Sequence, residues 1–299
     1  MPVELATGKL HDIIHLAWIA LSDVADGLRG QERGRKVYFS PTRVVRKTLK
    51  KLDIAITTEK RLQKLKDSGR AADIVGLLLE LPGRHKEQLL KYFRSARGQL
   101  GQDLFALSEL EFKRDGFFVE FGATDGFHSS NTYLLEKEFG WRGIVAEPAR
   151  GWHKDLRRNR NCFIETDCVL SKSNVELTFI EATNGEFSTI DVYKSSDIHS
   201  LARRNGNQYK VNTISLSDLL EKYNAPREID FLSIDTEGSE FDILKDFDFN
   251  QYKFGVITCE HNFTPRREQV FSLLTKNGYL RKHEGFSNVD DWYVNAGMV

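Results

Sequence analysis

Several things are scarce or missing in this 299-residue chain, and each absence excludes something. There are only three cysteines, Cys162, Cys168 and Cys259, and no CxxC pair. A disulfide framework or zinc ribbon needs more cysteines at closer spacing, so these read as reduced thiols of an intracellular protein. No charge of either sign is in excess: 43 Lys and Arg balance 43 Asp and Glu. The electrostatic footprint of a nucleic-acid binder is therefore missing. No apolar run approaches the ~20 residues of a membrane span, and the start shows no basic-apolar-small leader pattern. These absences together predict a soluble, cytoplasmic protein. Internal repeats and low-complexity tracts are missing too. So is the G-K-[ST] of a phosphate loop and the G-x-G-x-x-G of a dinucleotide site.

What is present falls into two parts. Residues 1–98 show helical spacing, few strand signals and many basic residues. Leu10, Ile14, Ala17, Leu21, Val24 and Leu28 make a stripe at spacings of four and three. It suits a bundle helix and, less economically, a dimerisation helix. Pro41 opens a second helix with Val44, Val45, Leu49 and Leu52 on one side and Arg43, Arg46, Lys47, Lys50 and Lys51 on the other. The plain reading is a solvated basic face; the sharper one is peripheral association with an anionic membrane surface or glycan carrier. Two more helices are expected around residues 72–81 and 86–97, parted by Pro82-Gly83.

From Gly116 onward strand and helix signals alternate, as in α/β proteins. The organising stretch is Phe117-Phe118-Val119-Glu120-Phe121-Gly122-Ala123-Thr124-Asp125-Gly126. It reads as a buried strand running into a glycine loop. Ser129 to Thr132 then starts a helix that stops at Gly140. Ile144-Val145-Ala146 is a second strand, ending at Glu147, where Rossmann-like folds hold a ribose diol. Later strands end at Asp167, Asp235 and Glu260. The stretch 171–212 breaks the rhythm. It offers a half-exposed strand over 175–180, a partner near 187–190, and an aperiodic polar excursion over 194–210. Five carboxylates at equivalent strand ends exceed what local capping explains, because unpaired buried charge is costly. Asp125 in the glycine loop would repel a pyrophosphate but suits a ligand with a ribose and a cationic amine. Trp152, Arg157 and Arg160 read as helix surface, with sugar contact as the alternative. His128 lies close to the glycine loop.

The stretch from Phe118 to Gly126, then Ser130-Asn131-Thr132, Gly140-Trp141-Arg142-Gly143-Ile144 and Glu147-Pro148, resembles the FkbM family of S-adenosylmethionine-dependent methyltransferases. Ile229 to Glu240, which contains Asp235-Thr236-Glu237-Gly238, resembles its second signature, and Gly101-Gln102-Asp103-Leu104-Phe105 its lead-in. The likeness covers residues 99–299. It implies an α/β, class I methyltransferase (Rossmann-like) seven-stranded sheet, here carrying a helical N-terminal domain over 1–98. It implies S-adenosylmethionine as cofactor and O-methylation of a sugar hydroxyl on a glycan, glycolipid or natural product, with an acceptor that can be lipid-linked. By position, Gly122, Ala123, Gly126 and Asn131 would border the methionine moiety. Glu120 and Asp125 would face its amine or the loop around it. Glu147 would hold the ribose, and Asp167 with Cys168 would border the adenine. By analogy with catechol-type enzymes, Asp235, Glu260 and Asn262 would bind Mg²⁺ or another divalent cation. Asp235, Glu237 and His261 are the catalytic candidates. His261 would act as the base or orient a ligand, and Glu237 would face the site or cap the helix at Ser239. Two rivals stand beside this reading: an NAD(P)-dependent oxidoreductase or epimerase, and a non-catalytic binding module. A homo-oligomer is compatible with the N-terminal stripe.

Overall fold

The computed structural model describes residues 75–182, 185–193 and 203–298. Two compact units divide the chain, Met1–Asp67 and Ser68–Val299, and every described residue belongs to the second. The striped helix, the basic helix and most of the 194–210 excursion lie outside the described residues.

Helix α1 (Gly83–Tyr92) and α2 (Gln102–Glu109) lead in. Then come β1 (Phe117–Phe121), α3 (Tyr133–Phe139), β2 (Arg142–Ala146), α4 (His153–Asn159) and β3 (Phe163–Glu165). An excursion follows, made of β4 (Cys168–Leu170), β5 (Glu176–Glu181), β6 (Thr189–Ile190) and β7 (Asn207–Ser215). The chain returns through α5 (Leu216–Lys222), β8 (Glu228–Ile234), α6 (Glu240–Leu244), β9 (Lys253–Glu260), α7 (Arg266–Lys276), β10 (Tyr279–Lys282) and β11 (Asp290–Asn295).

The main sheet has seven strands in the order β3-β2-β1-β8-β9-β11-β10. β3, β2, β1, β8 and β9 pair in parallel, while β11 runs antiparallel to both its neighbours. This is the class I methyltransferase sheet with its antiparallel closing strand.

The continuous apolar character of β1 has a direct cause: both of its faces are covered. Side chains alternate along a strand. Val119 and Phe121 therefore join Ile144, Leu232 and Ile257 in one core, while Phe118 joins Val145, Phe231 and Val256 in the other. The first core is closed by Leu219 of α5, Ile243 of α6 and Leu274 of α7. The second is closed by Leu89, Leu104, Leu135 and Leu156 of α1 to α4. Helices after β1 and β2 thus lie on one face, and those after β8 and β9 on the other. The winding reverses between β1 and β8, which is where open α/β sheets bind ligands.

Leu77, Leu81 and Leu89 sit in the same core as Phe118, so they pack on the sheet. Asn207–Ser215, taken partly as aperiodic polar chain, is a strand: residues 207–212 pair with β5 and residues 213–215 with β4. Its polar residues alternate because one of its faces meets solvent. The third strand ends at Glu165, with Asp167 two residues past it; Glu165 is buried and salt-bridged to Lys222 at 2.6 Å. Among the described residues no helix is long and apolar enough to cross a membrane.

Candidate active site

The glycine loop sits at the reversal point because nothing larger fits there. Gly122 has φ +73°, and a Cβ on it would lie 1.8 Å from the carbonyl oxygen of Asp235. Gly126 has φ +74°, and a Cβ there would meet Leu156 and Arg160 at 2.6 Å. Both glycines combine a left-handed backbone with close approach, and no other residue type tolerates both. Ala123 is buried between them.

Glu120 and Asp125 hold the loop together. Glu120 is buried and accepts from Ser130 Oγ at 3.0 Å, Asn131 N at 2.7 Å, Thr132 Oγ1 and Arg160 Nη1 at 3.1 Å. Asp125 accepts from the backbone N–H groups of Phe127 and His128, and from His128 Nδ1 at 2.6 Å. Both carboxylates thus bond to the loop around them. Arg160 corrects the surface reading: it is 2 % exposed and paired with Glu120 and Glu136. A lone Arg after a polar helix gives no periodic sign of burial, so its inward turn was invisible in the sequence.

Glu147 stands just past β2, buried, accepting from Thr124 N at 2.8 Å and Ala149 N at 2.7 Å. Burial pushes its carboxyl up to about 7, the Glu181 charge adds to this, and the two N–H groups offset part of it. Asp167 is half-buried, its pKa raised by burial and by Glu165. Cys168 is buried at the start of β4, where burial holds its thiol up at about 12.

Across the reversal point the carboxylates have no such company. One oxygen each of Asp235, Glu237 and Glu260 lie within 4.8 Å of one another. Asp290 on β11 sits directly opposite Glu260 in the ladder and adds its charge. Burial raises the pKa of Asp235, and Asp290 raises it further. Burial and the Asp235 charge do the same to Glu260. Asp290 is itself pushed up to about 6 by burial, although Gln102 Nε2 donates to it at 2.8 Å. Glu260 Oε2 is buried without a hydrogen-bond partner. Among the described residues Arg203 lies beside this group: its Nη2 meets Glu237 Oε2 at 2.9 Å.

Glu237 lies in this group, with φ +59°, and no side chain caps the helix after it; Glu240 instead accepts from Thr236 N and Gly238 N in the turn before the helix. Arg203 carried no signal in an aperiodic stretch. Asp290 was readable only as the polar start of a closing strand.

His261 does not join this group. Its Nδ1 accepts from Phe263 N at 3.0 Å, and its Nε2 lies 3.9 Å from Asp291, which is clamped by Arg267 and Arg281. Burial lowers its pKa, with Asp291 opposing and Arg267 adding. It is a neutral ring that shapes the turn after β9. Glu260 is the last residue of β9, whereas His261 stands past it in the turn, its N–H on Val289 O and its carbonyl on Thr264 N. Asn262 is buried beside it with φ +44°, its N–H on Val289 O.

With this geometry in place, the family can be stated. The sequence model described as the Methyltransferase FkbM domain matches residues 120–296. The chain belongs to the FkbM methyltransferase family. That membership overturns the oxidoreductase alternative. No curated protein sequence matches the chain. Among solved structures, precorrin-6y C5,15-methyltransferase from Geobacter metallireducens GS-15 is 13 % identical, with TM-score 0.32, over 60 % of this chain and 71 % of that one. A protein described as an RNA methyltransferase from Pyrococcus horikoshii is 12 % identical, with TM-score 0.33, over 68 % and 84 %. A form of MtNAS in complex with S-adenosylmethionine is 13 % identical, with TM-score 0.29, over 84 % and 82 %. The fold rests on the strand order and the family match.

The residues fit the family's cofactor. The positive-φ glycines clear a floor beside the reversal point, and Glu147 presents a buried carboxylate one strand away. Thr124, between the glycines, is itself at φ +47° and bonded to Glu147, which ties floor and carboxylate together.

Proposed function

We propose that this FkbM methyltransferase transfers a methyl group to a hydroxyl oxygen, and that the acceptor is a sugar of a glycan, glycolipid or natural product. The carrying observation is the Asp235–Glu260 pair with Glu237 beside it: carboxylates gathered at the edge of the core, Asp235 and Glu260 half-buried and Glu237 buried, next to the glycine loop. When bound, S-adenosylmethionine supplies an already activated methyl group. What the chain must add is alignment and removal of the hydroxyl proton. A sugar hydroxyl is a weak nucleophile. A carboxylate whose proton affinity has been raised toward neutrality is a competent base for it. Asp235, at the reversal point, takes that proton. Glu260 shares the charge, and Arg203 holds Glu237 in place. Glu147 holds the ribose hydroxyls.

A divalent cation is the second reading, favoured by the three close oxygens and the unpartnered Glu260 Oε2. Asp235, Glu237 and Glu260 are the hard donors such an ion prefers, with Asn262 as the further candidate. Bound there, it would lower the pKa of the acceptor hydroxyl. A chelator separates the two readings: turnover that survives excess EDTA and dialysis rejects the cation and leaves Asp235 as base.

The acceptor class is tested by incubating purified enzyme and methyl-labelled S-adenosylmethionine with fractionated cell extract. The expected label is base-stable and sits in the glycan or glycolipid fraction. Label in protein or nucleic acid would reject the sugar acceptor, and label in neither with cofactor bound would favour the non-catalytic module.

A further inference from the structure

Two buried polar atoms near the glycine loop have no hydrogen-bond partner, and they have opposite character. One is a donor, Arg97 Nε; the other is an acceptor, Asn131 Oδ1. Unsatisfied buried groups of this kind are costly and call for an explanation, a missing ligand among them.

Both side chains are held from several sides. Asn131 is 6 % exposed; its backbone N–H donates to Glu120 Oε1 and its Nδ2 to Ser233 Oγ at 2.9 Å, which leaves Oδ1 over. The Arg97 guanidinium lies 4.6 Å from the centre of the Phe127 ring, on the glycine loop. Its Nη1 donates to the carbonyls of Arg94 and Ala96, and its backbone N–H to Asp103 Oδ2. The two residues also meet through the backbone: a Cβ on Gly98 would lie 3.0 Å from Asn131 Oδ1. The chain at 97–98 thus runs along Asn131.

The cofactor of this family ends in an amino acid, with one carboxylate and one ammonium. The carboxylate needs a donor, and the rim of acidic residues repels it. Arg160 cannot serve, because its nitrogens are spent on Glu120, Glu136, Ser130 and Thr132. His128 turns its Nδ1 to Asp125, and the rest of its ring is largely exposed to solvent. The ammonium needs an acceptor, and Glu120 and Asp125 are already filled. We propose that Arg97 and Asn131 hold the amino-acid end of the cofactor: Arg97 Nε–H donates to its carboxylate, and Asn131 Oδ1 accepts from its ammonium. Arg97 lies before the region that the family model matches, so the lead-in segment completes the site. The inference rests on the family's cofactor and is independent of the acceptor.

The test is calorimetric and needs no acceptor. Full-length protein is titrated with S-adenosylhomocysteine, with its decarboxylated analogue and with 5′-methylthioadenosine, which lacks the amino-acid end. In the unmodified protein, loss of the carboxylate should weaken binding about tenfold or more, the usual scale for a hydrogen bond to a charged group. Arg97→Gln should weaken S-adenosylhomocysteine by a similar factor and erase its advantage over the decarboxylated analogue. Asn131→Ala should weaken the decarboxylated analogue, which keeps the ammonium. Neither variant should change the affinity for 5′-methylthioadenosine beyond about twofold. Equal affinities of the unmodified protein for the first two ligands overturn the proposal without any variant having to fold. A carboxylate preference that survives Arg97→Gln, or a variant that loses 5′-methylthioadenosine equally, overturns it as well. Absence of heat with all three ligands would remove the site altogether.

Discussion

Two carboxylates at neighbouring strand ends, Glu120 on β1 and Asp235 after β8, show how little position alone decides. Glu120 is surrounded by four donors, one of them the buried Arg160. Asp235 faces Glu260, Glu237 and Asp290 instead, and its environment is described by charges of its own sign. The first arrangement fixes a loop. The second leaves a group of carboxylates that must take up protons or a cation, which is a poor way to build a fold and a good way to build a reaction site.

If the comparison is right, Asp235→Asn and Arg160→Met must fail in different ways. Asp235→Asn should lower kcat by a factor on the order of 10²–10⁴, the contribution of a positioned base. Its affinity for S-adenosylhomocysteine should stay within a few-fold, and its melting temperature should hold or rise because a repulsive charge is gone. An Asp235→Asn enzyme that retains most of its kcat would erase the distinction.

Arg160→Met should do the opposite. It strands Glu120 and Glu136 in the interior without their counter-ion, and breaking such buried pairs costs about 3–5 kcal/mol. Urea unfolding reads this directly. A loss under about 1 kcal/mol would show that the glycine-loop side is no more a scaffold than the other.

The pH dependence sharpens the contrast. Glu147, at about 7, and Asp290, at about 6, hold their protons more tightly folded than unfolded. The folded state therefore binds more protons than the unfolded chain between about pH 4 and pH 7. Their contribution to stability is full below the unfolded carboxyl values and is lost as pH rises through the folded ones. Melting temperature should fall from pH 5 to pH 7.5 and then level. Glu147→Gln should flatten part of that slope. Turnover should climb over the same interval as the base ionises, so activity and stability move in opposite directions. A melting temperature that rises across this window would contradict the assignment.

The smallest effect lies two residues from Arg160. Arg158 pairs with Asp155 at 3.0 Å, but on the surface. Arg158→Ala should change unfolding free energy by less than about 1 kcal/mol, since exposed pairs contribute little. A larger loss would mean that burial is not what separates Arg160 from its neighbour.

Much of this was legible before any coordinates. The apolar run of β1, the glycine loop and the stop at Gly140 depend on local geometry and short-range periodicity, so the sequence displays them. The carboxylates at strand ends could be placed for the same reason, since a parallel sheet puts every strand end on one edge. Their states could not be placed. Whether Glu120 is paired depends on Arg160, forty residues on, and whether His261 reaches the cluster depends on which way a turn faces. The strand Asn207–Ser215 was obscured because its partner β5, not its own hydrophobicity, stabilises it. The part played by 75–98 was obscured because composition records what a segment contains and not what it touches.

The bond between Gln102 and Asp290 spans 188 positions of the chain. A ribosome reaches Asp290 only after it has made β1 to β10 and the helices between them. Until then Glu260 lacks the strand that faces it, and the lead-in segment lacks its anchor. The nascent protein can gather its parallel core while the reacting edge remains unassembled. A chain stopped before Asp290 would have that core and no finished edge, a product that quality control can recognise by its uncovered β9.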